Sequence, residues 1–119
     1  MTETYFYDPR KGHGLPHDPF KAIVTPRPIG WISSIDAKGQ VNLAPYSFFN
    51  AFSTTPPIVG FASEGRKDSL ANIEETGEFV CNLATWDLAE AMNTTSAPLP
   101  HGVNEMVRAG LEPASSTLV

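Results

Sequence analysis

A single cysteine, Cys81, stands in a chain of 119 residues, so no internal disulfide can form. Disulfide frameworks belong to oxidising compartments, and their absence points to a reducing one. Long apolar runs are missing too. The opening "MTETYFYDPRKGHG" holds no stretch of signal-peptide length, and no run of apolar residues is long enough to cross a bilayer. The expectation is a cytoplasmic protein without membrane contact. Positive charge is sparse, with 8 Lys and Arg against 13 Asp and Glu and a net charge of -5. Nucleic-acid binding calls for clustered cations, so no such partner is expected. His13, His17 and His101 lack metal-ligand spacing, and no metal site is expected either. There is no G-x-S-x-G elbow, Walker A loop or Rossmann glycine fingerprint; "GHG" at 12–14 follows no strand. A catalytic triad therefore has no support and no catalytic residue is singled out. If the protein is an enzyme, a bound cofactor carries its chemistry.

What is present suffices for one domain, since 41% of the residues are apolar. Residues 1–20, with Pro9, Gly12, Gly14, Pro16 and Pro19, read as an extended arm, and 21–119 as the domain proper. In "TPRPIGWISSID", Ile29, Trp31, Ser33 and Ile35 fall at strand period; Asp36 to Gly39 is a turn signal, and "QVNLA" resumes strand character. A hairpin is expected there. "PIVGFAS" reads as a short buried strand. "KDSLANIEETGEF" has helical spacing, with Asp68 expected as N-cap and Gly77 at its end. "EFVCNLA" returns to strand, with Cys81 expected as a buried small hydrophobe. "DLAEAMN" reads as a short helix capped by Asp87, "VNEMVRAGLEP" as a helical turn closed by Gly110, and "SSTLV" as strand-like. The order predicts a mainly β fold with inserted helices.

Three stretches could carry chemistry. In "SEGRKDSLANI", Arg66 and Lys67 precede a helix start and Ser69 lies in its first turn. Helix N-termini attract phosphate, and adjacent cations strengthen the attraction; the plainer alternative is a solvated loop before an ordinary cap. In "NLAPYSFFNAFSTTPP", Ser47, Asn50 and Ser53 interleave with Phe48, Phe49 and Phe52. Such a mixture suits the polar edge and flat faces of a cofactor ring, or a β-bulge whose polar side chains satisfy their own backbone. In "TPRPIGW", Arg27 sits between Pro26 and Pro28 on a stiff segment, while Trp31 could stack on a ligand or fill the core.

Taken in order, "TPRPIGWISSIDAKGQVNLAPYSFFNAFSTTPPIVGFAS", "KDSLANIEETGEFVCNLAT" and "AEAMNTTSAPLPHGVNEMVRAGLEP" resemble the flavin reductase-like, FMN-binding split-barrel family, which includes flavoredoxin. The resemblance runs from about Phe20 to the C-terminus and implies an antiparallel split β-barrel, usually homodimeric. It implies FMN, with FAD as the alternative, and electron transfer through the flavin from NADH or NADPH. Carried onto this chain, it puts Tyr46, Ser47, Phe48, Asn50 and Ser53 along the flavin, and Arg66, Lys67 and Ser69 at its phosphate. Asn82 would be a further ring or ribityl contact, and Arg27 and Trp31 would border the same cleft. The alternative function is a non-catalytic electron carrier or dimerisation module serving a redox partner protein. Against the family pattern the chain stops at Val119, where a further strand is expected, so the barrel reads as truncated at its C-terminus.

Overall fold

A computed structural model describes residues 3–119; positions 1 and 2 of the expected arm lie outside the described residues. Residues 3–19 form no helix or strand. A short helix α1 (Phe20–Ile23) follows, opened where the Asp18 carboxylate accepts from the Phe20 amide at 3.0 Å. Sequence reading missed this helix, which is a single turn and too short for periodicity to register.

β1 (Gly30–Ile35) and β2 (Val41–Tyr46) form the expected hairpin, in register from Gly30 opposite Tyr46 to Ile35 opposite Val41. Asp36 shapes the turn: its carboxylate accepts from the Lys38 and Gln40 amides, both at 2.9 Å, and Gly39 adopts φ 84°. β5 (Val80–Asn82) pairs antiparallel on the other side of β1, giving the order β2-β1-β5. β3 (Phe49–Thr54) and β4 (Pro57–Phe61) make a separate two-stranded sheet. Phe52 is the extra residue of a bulge, since Ala51 faces Val59 and Ser53 faces Ile58. β4 was expected to be buried but is largely exposed, because its hairpin packs mainly on itself.

α2 (Asp68–Thr76) covers one face of the three-stranded sheet. A 3-10 turn (Trp86–Leu88), α3 (Ala89–Thr94) and α4 (Glu105–Arg108) follow. Trp31, Ile32, Leu43 and Tyr46 make the buried apolar core. Polar pairs tie the layers. Asn42 donates to Ser69 Oγ at 2.8 Å and Asn72 to Ser34 Oγ at 3.2 Å, fastening α2 to the sheet. Trp31 Nε1 donates to Thr95 at 2.9 Å, and the Leu43 amide donates to the buried Glu105 carboxylate at 3.2 Å.

Several local expectations need correction. Lys67, in extended conformation, holds the N-cap position of α2, and Asp68 is its first helical residue. Asp87 caps nothing; it lies inside the 3-10 turn and accepts from the Thr85 hydroxyl at 2.6 Å. Cys81 is exposed, because β5 is an edge strand with only β1 beside it. "SSTLV" joins no strand. Gly77 does end α2 in the left-handed region at φ 76°, its amide returning to the Ile73 carbonyl at 2.7 Å.

Candidate functional site

The turn between β2 and β3 consists of Ser47 and Phe48, and two clefts meet there. The larger, about 470 Å³, is mostly apolar and lies between α1 and the β3–β4 hairpin, with Phe20, Arg27, Asn50 and Phe52 on its walls. The smaller, about 130 Å³, is polar and is lined by Lys21, Tyr46, Glu64 and Lys67. Ser47 and Phe48 belong to both. A flat apolar slot leading into a small cationic pocket is the shape that a ring carrying a phosphorylated tail requires.

Phe48 is held on several sides. The Phe20 ring meets it edge-on, centroids 6.3 Å apart at 86°, while Lys21 Nζ and the Arg27 guanidinium each stand 5.7 Å from its centre. Lys21 also reaches Glu64 at 3.4 Å. Beneath the polar pocket Tyr46 is buried, its ring 4.6 Å from that of Phe61, with Lys67 Nζ 5.5 Å above it. Its hydroxyl is the one buried side-chain polar atom among the described residues without a hydrogen-bond partner. Leaving such a group unpaired costs roughly 1–3 kcal/mol.

Of the residues expected at a flavin, Arg27, Tyr46, Ser47, Phe48, Asn50 and Lys67 line these two clefts. The others lie elsewhere. Trp31 fills the core; Ser69 is buried and occupied by Asn42; Ser53 lies past the bulge. Asn82 donates to the Trp31 carbonyl and to Ser33 Oγ, both at 3.0 Å, and so braces β5 against β1. Arg66 is exposed and paired with Glu74 at 2.8 Å. Phe20, Lys21 and Glu64 were not anticipated. Lys21 and Glu64 are 43 positions apart, so no local pattern could join them; the Asp-Pro pair before Phe20 was the only signal for α1.

Outside the two clefts, His101 Nδ1 lies 2.9 Å from Asp68 Oδ1 and links the loop before α4 to the first turn of α2. The hydrogen bond to Asp68, reinforced by its charge, raises the imidazole pKa above its ordinary value. Burial pushes the Cys81 thiol up, so at neutral pH it stays protonated despite its exposure. Among the described residues no cluster of metal-ligating side chains occurs, and no helix is long and apolar enough to cross a membrane.

Comparison with known proteins identifies the family and the fold. The family model described as "Flavin reductase like domain" matches residues 23–119. A protein of Aquifex aeolicus of unassigned function is 40% identical over 102 residues, covering 82% of this chain and 52% of its own length. The chain spans about half the length of the curated relatives it matches. The crystal structure of nitrilotriacetate monooxygenase component B from Bacillus cereus superposes with a TM-score of 0.87 at 29% identity, covering 100% of this chain and 61% of that one. A split barrel domain structure from Shewanella frigidimarina superposes at a TM-score of 0.72 with 24% identity, covering 77% of this chain and 46% of that one. The fold is of the mainly antiparallel split-barrel type. The chain belongs to the flavin reductase-like domain family.

Proposed function

We propose that this member of the flavin reductase-like family holds FMN in the paired clefts and serves as an oxidoreductase that draws electrons from NADH or NADPH. The observation that carries this reading is the junction at Ser47 and Phe48. It joins an apolar slot to a polar pocket that Lys21, Tyr46 and Lys67 line. These residues suit a flavin. Phe48 and Phe52 offer flat apolar faces, and Ser47 and Asn50 offer hydrogen-bonding edges. Lys67 and Tyr46, which line the polar pocket, suit the phosphate.

Bound flavin supplies reversible electron transfer; the chain supplies binding, orientation and polarity. Phe20 and Phe48 wall the slot, and Ser47 and Asn50 would set the ring's position. No side chain is assigned a proton transfer. We assign residues 21–119 to the flavin-binding unit and 1–20 to an arm, in a cytoplasmic homodimer. The monooxygenase component from Bacillus cereus supports a second protein as the recipient of the electrons.

The test is a visible spectrum of the purified chain after incubation with FMN or FAD and gel filtration. Flavin bands that co-elute support the reading and name the preferred flavin. A protein that stays colourless with both overturns it. Anaerobic bleaching of the bound flavin by NADH or NADPH then separates an enzyme from a carrier that needs another protein as donor.

A further inference from the structure

Arg27 is bound into the fold by its own donors. Nη1 donates to the Val24 carbonyl at 2.8 Å and to that of Lys21, and Nε donates to Ser47 Oγ at 3.3 Å. Lys21 and Val24 bracket the end of α1, where a helix leaves carbonyls without intrahelical partners and a cation is favoured. The guanidinium meanwhile lies over Phe48, so one planar group touches α1 and both residues of the β2–β3 turn. Pro26 and Pro28 restrict the backbone from which it projects.

We propose that Arg27 is a positioning residue of the flavin cleft: it locks α1 against Ser47 and Phe48 so that the slot is formed before the ligand arrives, and it binds no phosphate. This rests on the flavin reading above. Arg27 already shares its charge among three oxygens, whereas Lys67 lines the polar pocket itself. Without the clamp, each binding event must order α1 and the turn, a cost charged against affinity whatever the ligand's tail.

The experiment compares dissociation constants of FMN and of riboflavin, which lacks the phosphate, for the wild type, Arg27→Met, Arg27→Lys and the double variant Arg66→Ala/Lys67→Ala. A positioning role weakens FMN and riboflavin alike, by about tenfold for an ordering cost of this size. It also changes the visible circular dichroism of the bound flavin. Arg27→Lys fails to restore either ligand, because a point charge cannot span the carbonyls and Ser47 together. The double variant loses FMN selectively and provides the pattern of a phosphate contact. Should Arg27→Met fail to fold, Arg27→Lys carries the same comparison. Selective loss of FMN in the Arg27 variants, rescued by lysine, overturns the inference while leaving the flavin reading intact. A wild-type chain that binds neither ligand overturns both.

Discussion

Tyr46 packs in the core and, on the proposed reading, also meets the ligand. Its ring earns its place in the core against Phe61, yet its hydroxyl is buried without a partner. Removing a hydroxyl that bonds nothing should not harm the unliganded fold, while a ligand that used it should be held less tightly. Tyr46→Phe is therefore expected to keep or raise the melting temperature without flavin and to weaken FMN about fivefold to tenfold. Thermal unfolding and a fluorescence titration check the two halves. A lowered melting temperature with unchanged FMN affinity would contradict the assignment. Gly30 illustrates the opposite case, in which a position accepts no addition. A Cβ there would lie 2.4 Å from the Phe49 ring, which starts β3. That glycine lets Phe49 cross the β1–β2 hairpin closely, and the contact needs no unusual backbone angle.

At the level of elements, α2 docks through polar groups. Its buried residues are Ser69 and Asn72, each bonded to a buried side chain of the sheet, while Leu70 and Ile73 are only partly covered. Buried amides and hydroxyls are costly to strand, so these bonds specify where the helix sits. Asn72→Ala should lower stability by about 1–3 kcal/mol, because it leaves Ser34 Oγ buried without its donor. Chemical denaturation measures this, and a loss below about 0.5 kcal/mol would mean that the site relaxes around the gap. The same helix carries the Asp68–His101 link. The folded-state pKa of His101 is raised, so its contribution is complete below the ordinary imidazole value of 6.5 and fades as pH rises through the raised value. The stability difference between wild type and His101→Ala should shrink as pH increases across that window. A difference that does not vary with pH would show that the contact persists with neutral imidazole.

The whole molecule is open for its size. Its radius of gyration is 17.2 Å, against about 13.5 Å for a compact domain of this length. Its accessible surface is 9024 Å², against roughly 6300 Å² for a compact monomer of this mass. Part of the excess is apolar and lies on the β3–β4 hairpin, where Phe52, Ile58 and Val59 are exposed. Surface of this kind favours association. We expect the chain to self-associate in a concentration-dependent way, and Phe52→Ser to shift it toward monomer. Sedimentation velocity across a concentration series decides, and a monomer at every concentration would remove the homodimer from the proposal.

Much of this was legible in the residues themselves. The β1–β2 hairpin follows from alternation and an Asp-to-Gly turn, and the end of α2 from Gly77, because both depend on backbone preferences acting within a few positions. Ordered blocks of sequence also carried the family, and of the Tyr46-to-Ser53 stretch singled out in the sequence, Tyr46, Ser47, Phe48 and Asn50 line the two clefts. Tertiary structure alone decided which of the remaining candidates share a cleft. Ser69 and Asn82 have suitable chemistry but spend it on Asn42, Trp31 and Ser33, while Lys21 and Glu64 join the polar pocket from opposite ends of a long loop closure. Burial was likewise undecided: "PIVGFAS" and Cys81 have buried-strand composition, yet their exposure depends on which strand or helix lies beside them. Composition records what a side chain can do. Only the packing of distant segments determines whether its hydrogen bonds are already used and which surface it faces.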